Sequence, residues 1–109
     1  MTVGIYTFEI HLGGSRSLKD KRQVLRRLKD RLRARHNVAV AETGEYSDLR
    51  QRAGLVVVSV ASGRDALERL FESIRREAES EIPGEMIETG ADFLDASDGG
   101  PGGWEADYR

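Results

Sequence analysis

The chain has 109 residues and 12.1 kDa, with 39% hydrophobic and 33% charged residues, which fits one soluble globular domain and leaves no room for a second. It contains no cysteine, so disulfides, thiolate metal sites and cysteine nucleophiles are excluded, and apolar runs such as Leu55–Val58 are far too short to span a bilayer. The formal net charge is only −2, but residues 16–35 hold ten of the 17 basic residues against Asp20 and Asp30, so that segment is +8 and the remainder −10.

Taken in chain order, Val3 to Leu12 alternates as a strand, with Tyr6, Phe8, Ile10 and Leu12 on one side and Val3, Ile5, Thr7, Glu9 and His11 on the other. Gly13-Gly14 breaks it. Ser17 is suited to cap a helix, with Asp20 three residues on completing a box-like pair. Leu18, Val24, Leu25, Leu28 and Leu32 then recur at helical spacing and predict a helix over 18–35, ended near Asn37. Val38–Glu42 and Leu55–Ser62 read as strands joined by a polar connection holding Gly44 and Asp48. Ser62-Gly63-Arg64-Asp65 opens a second helix with Leu67, Leu70, Phe71, Ile74 and Ala78 on its apolar face, closed by Pro83-Gly84, and Met86–Leu94 supplies a fourth strand.

The order β-α-β-β-α-β predicts an α+β, ferredoxin-like fold: a four-stranded antiparallel sheet with two helices on one face. The expected organisation is a single domain over 1–94, followed by a flexible Gly/Asp-rich C-terminal tail over 95–109 that holds Trp104 and Tyr108. The first residues, Met1-Thr2-Val3-Gly4-Ile5, lack the basic segment and long apolar stretch of a signal peptide, so a cytoplasmic location is the expectation.

The first helix carries the clearest functional signal. Lys19, Arg22, Arg26, Lys29 and Arg33, at spacings 3, 4, 3 and 4, fall within an arc of about 80° beside the apolar face. Arg16 extends this row and Arg27, Arg31 and Arg35 form another on the opposite flank. Such a ridge on a helix about 27 Å long suits successive phosphates of a nucleic acid, or else is a solvated face. Lys21 falls inside the apolar arc and has to snorkel or pair, with Glu42 and Asp48 as candidate partners. Asp48 and Gln51 are suited to hydrogen-bond their loop closed, and His36 sits where it complements the helix dipole.

Other constellations are weaker. Gly13-Gly14-Ser15-Arg16-Ser17 leads into a helix N-terminus but has neither the phosphate-loop nor the dinucleotide-fold spacing. Glu9 and His11 share a strand face without a third metal ligand or a nucleophile beside them. No catalytic residue, metal site or cofactor is therefore expected. Strand three has no aromatics, and Tyr6 and Phe8 share their side with Ile10 and Leu12, so the sheet is a poor base-stacking platform. Its apolar positions, Ile5 with Val57 or its neighbours, suit packing against a second copy.

Ser17-Leu18-Lys19-Asp20-Lys21-Arg22, His36-Asn37-Val38-Ala39-Val40-Ala41-Glu42 and Asp48-Leu49-Arg50-Gln51-Arg52-Ala53 together resemble the YlxP family of small bacterial proteins of unknown function. The resemblance covers residues 3 to about 94. It implies a ferredoxin-like fold, a bacterial cytoplasmic protein and a genetic setting near translation initiation and ribosome maturation factors. Arg50 stands where an aromatic is common in that family, and His36 where Phe or Tyr is usual. The resulting expectation is a non-enzymatic module that binds RNA or a ribosomal particle through Arg16, Lys19, Arg22, Arg26, Lys29 and Arg33. The alternative is a homo-oligomeric protein–protein interaction adaptor with no nucleic-acid role, a homodimer through the sheet whose basic helix is a solvated face or meets an acidic protein; a membrane partner is not expected.

Overall fold

The alternation of the first strand dictates which side of the sheet is covered. In the computed structural model, which describes residues 1–95, β1 (Thr2–His11) buries Tyr6, Phe8 and Ile10 beneath two helices, and Leu12 follows them inside. Helix α1 (Leu18–Arg35) adds Leu25, Leu28 and Leu32 to the core, and α2 (Arg64–Glu81) adds Leu67, Phe71, Ile74 and Ala78. Strands β2 (Ala39–Glu42), β3 (Arg52–Ala61) and β4 (Glu85–Asp95) complete an antiparallel sheet in the order β2-β3-β1-β4. This is the α+β, ferredoxin-like arrangement expected from the order of elements. No helix among the described residues is long and apolar enough to cross a membrane.

Local chemistry explains the element ends. The Ser17 hydroxyl accepts from the Asp20 N–H at 3.1 Å, and the Asp20 carboxylate accepts from the Arg16 N–H at 3.1 Å, so the two side chains satisfy donors at the start of α1. His36 ends that helix, its N–H donating to the Leu32 carbonyl at 2.9 Å. Gly44 has φ +84° at the exit from β2, a left-handed conformation open to glycine at little cost. At Gly84 the requirement is different, because a Cβ there would collide with the His11 carbonyl oxygen.

The core is an aromatic stack set between sheet and helix. The Tyr6 and Phe71 rings stack at 5.0 Å, and Phe93 joins them at 5.9 Å from Phe71. The Tyr6 hydroxyl donates to Glu88 Oε2 at 2.8 Å; burial first, then the carboxylate, pushes the phenol well above its ordinary range.

Element ends and one pairing differ from the sequence expectation. β3 begins at Arg52, three residues before Leu55, because Arg52, Ala53 and Gly54 pair with His11, Ile10 and Glu9 of β1. β4 runs from Glu85 through Asp95, one residue beyond the expected Met86–Leu94 at each end; of the expected tail over 95–109, residues 96–109 lie outside the described residues. On the helix-free face, the partner of Ile5 is Val58, while Val57 turns into the core opposite Tyr6.

Candidate nucleic-acid interface

The ridge on α1 forms as the spacing predicts, but its two halves differ in environment. Arg16, Lys19, Arg22 and Arg26 are exposed, and none of their side chains makes an ion pair among the described residues. Lys29 and Arg33, one and two turns further on, lean onto the edge strand β2. Lys29 Nζ lies 3.5 Å from Glu42, and Arg33 donates to the Val40 carbonyl at 2.8 Å while lying 3.9 Å from Asp30. The division follows from the topology: the C-terminal part of α1 runs beside β2, whose Glu42 and backbone engage the last two cations.

The other flank of α1 faces α2, and its cations are largely spent there. Arg31 pairs with Glu81 at 3.0 Å, Arg35 with Glu77 at 3.2 Å, and the His36 ring with the other Glu77 oxygen at 3.1 Å. His36 thus does more than face the helix dipole. It caps α1 and ties it to α2.

Lys21 is the buried cation of the first turns, only 3% exposed. Its partners are not Glu42 or Asp48, as the sequence suggested. Nζ donates to the carbonyl oxygens of Leu49 at 2.6 Å, Tyr46 at 2.9 Å and Arg52 at 3.3 Å. An ammonium has three donors and here finds three acceptors, which offsets its burial without a carboxylate. The effect is to fasten the β2–β3 connection against the start of α1. Gln51 completes the fastening by donating to the carbonyls of Gly13 at 3.3 Å and Ser15 at 3.4 Å. Asp48 makes no hydrogen bond or ion pair among the described residues.

Between that connection and the helix start lies an open groove of about 700 Å³, lined by Ser17, Leu18, Leu49, Arg50, Gln51 and His11. Arg50 makes no ion pair among the described residues, and Leu18 and Leu49 are both partly exposed. The groove therefore sets the Arg50 guanidinium, the Asp48 carboxylate and the Gln51 amide beside the partly exposed Leu18 and Leu49, and it adjoins the N-terminal end of the ridge. The sequence reading placed no partner-binding role on Arg50. Its signal, a lone arginine in the polar connection, becomes readable only once Lys21 and Gln51 fix the loop beside α1.

A second polar cluster lies on the helix-free face. Glu9 Oε1 accepts from Arg52 Nη2 at 2.7 Å, Arg52 Nε at 2.9 Å and His11 Nε2 at 3.1 Å, while Oε2 accepts from the Tyr46 hydroxyl at 3.1 Å. The Arg52 guanidinium also stacks on the Tyr46 ring at 4.2 Å. The hydrogen bonds from His11 and then Arg52 hold the Glu9 carboxyl down at about 2, and the same cluster raises the Tyr46 phenol. The expected Glu9–His11 neighbourhood is present; Arg52 and Tyr46, which dominate it, were not read from the sequence. Both oxygens of Glu9 are occupied, so the cluster anchors the 43–51 connection to the sheet. No group of three His, Cys, Asp or Glu residues suited to a metal ion occurs among the described residues.

A family model described as a protein of unknown function (DUF503) matches residues 3–90, and the chain belongs to that family. No curated protein matches it.

Proposed function

We propose that this DUF503 member is a non-enzymatic module that binds the sugar–phosphate backbone of RNA, free or in a ribonucleoprotein, through the N-terminal half of α1. One observation carries the reading: the side chains of Arg16, Lys19, Arg22 and Arg26 stand exposed and make no ion pair among the described residues, although the chain as a whole is acidic. Charge left unpaired in this way is available to exchange its counterions for phosphates. From Lys19 to Arg26 the helix rises about 10 Å, which spans roughly three phosphate-to-phosphate intervals of one strand at about 3.4 Å axial spacing. Arg16 prolongs the line, and Arg50 faces the adjoining groove. Lys29, paired with Glu42, and Arg33, bound to the Val40 carbonyl, contribute field more than contact.

The sheet supports tolerance of sequence. Tyr6 and Phe8 are each 1% exposed beneath the helices, so no aromatic of the two central strands is open to a base. Recognition then lies in backbone charge, and the setting of the resembling family near translation factors favours RNA over other polyanions. The test is a fluorescence-anisotropy titration of a short structured RNA at about 50 and 200 mM salt, where four contacts cost on the order of a hundredfold in affinity. Equal affinity at both salts would remove the reading.

A further inference from the structure

The helix-free face of the sheet is divided along the strands. At one end Val3, Ile5, Val56, Val58, Val60 and Leu94 lie in adjacent registers on β1, β3 and β4. Ala39 and Ala41 continue this surface onto β2 opposite Val58 and Val56. Val60 is 50% and Leu94 54% exposed, and Asp92, opposite Ile5 on the outer strand, is the one charge in these registers. At the other end of the same face stands the hydrogen-bonded cluster of Glu9, His11, Arg52 and Tyr46.

We infer that this face is the contact surface between two copies of the chain. The inference is independent of RNA binding, because α1 lies on the opposite side of the sheet. Size decides among occupants. Three strands of ten or eleven residues and the four of β2, at about 4.8 Å by 3.4 Å per residue, give a face of roughly 550 Å² in projection. That is about two-thirds of the ~800 Å² of accessible surface each partner contributes to a standard interface. One aromatic side chain such as Trp104, beyond the described residues, would cover only ~150–250 Å². The layout, an apolar region flanked by satisfied polar groups, is also that of an interface core and rim.

Symmetry favours a like partner. A two-fold axis parallel to the strands lays the apolar end of one copy on that of the other and opposes no two charges within it. Pairing through sheet edges is disfavoured, since β2 has only four residues and β4 carries Glu85, Glu88 and Asp92 with a register shift opposite Thr7/Phe8.

Sedimentation of the full chain tests this. The expected result is a species of twice 12.1 kDa, about 24 kDa, that dissociates on dilution. Val60→Lys changes a half-exposed residue and leaves the monomer's core intact; it weakens self-association at least about tenfold, as a charge forced into an apolar contact must. Ile5→Asp gives a monomer, and Arg22→Glu with Arg26→Glu leaves the dimer unchanged. A monomeric wild type at every concentration overturns the inference, as does a dimer indifferent to Val60→Lys or one lost with the helix substitutions. A monomer whose single tryptophan, Trp104, shifts its emission on Ile5→Asp assigns the face to residues 96–109 instead and also overturns it.

Discussion

Replacing Arg22 and Arg26 together by Gln isolates the contribution of the ridge. Both side chains are exposed and make no ion pair among the described residues, and Gln is nearly as good a helix former as Arg, so the fold is unchanged. With four phosphate contacts, from Arg16, Lys19, Arg22 and Arg26, the slope of log affinity against log salt is about −2.8 for single-stranded and −3.6 for double-stranded sites. From about 50 to 200 mM salt this amounts to roughly 50- to 150-fold. Removing two contacts halves the slope, leaving about 7- to 12-fold over the same interval. The matching control is Arg31→Gln with Arg35→Gln. It makes the same change in net charge on the same helix, but at side chains already paired with Glu81 and Glu77. Anisotropy titrations at four or five salt concentrations give the slopes. The first pair halves the slope and the second leaves it near the wild-type value. Equal reductions would mean that overall charge is the cause, and an unchanged slope in the first pair would remove the ridge from the interface.

Three further predictions concern the scaffold. Lys21→Met deprives three carbonyls of their shared donor and costs about 2–3 kcal/mol, seen as a fall in thermal midpoint on the order of 10 °C; Lys21→Arg does not restore it, because a planar guanidinium cannot reproduce the ammonium's three bonds. A wild-type midpoint in Lys21→Met would show that the loop closes without it. Because the Glu9 carboxyl is held at about 2, below its ordinary 4.5, its stabilising contribution is complete above pH 4.5 and is lost as the pH falls toward 2. Denaturant midpoints of Glu9→Gln therefore depend less on pH across that window than those of the wild type, and parallel curves would contradict the cluster's role. Gly84→Ala drives a methyl into the His11 carbonyl and costs about 1–3 kcal/mol, whereas Gly13→Ala, whose Cβ meets nothing, stays within about 0.5 kcal/mol of wild type in the same unfolding assay.

Helix one was legible from sequence to its terminal residues because its signals are local: Ser17 and Asp20 at one end, the leucine spacing within, and His36-Asn37 at the other. The start of β3 was not, since Arg52-Ala53-Gly54 has the composition of a turn and becomes strand only through pairing with Glu9–His11. Lys21 shows the same limit more sharply. Its position in the apolar arc announced a buried cation, but its partners are backbone carbonyls, whose orientation no side-chain pattern encodes. Likewise the ridge was visible as a periodicity, while its division into free and engaged halves depends on where β2 and Glu42 lie in space.

The most direct measurement is a titration of the isotopically labelled protein with a short RNA at low salt, followed by amide NMR. The account predicts shifts concentrated over residues 15–26 and in the connection around Arg50, with the helix-free face and the exposed side of α2 undisturbed. Shifts centred on the sheet face or on α2, or none at all at low salt, would contradict it.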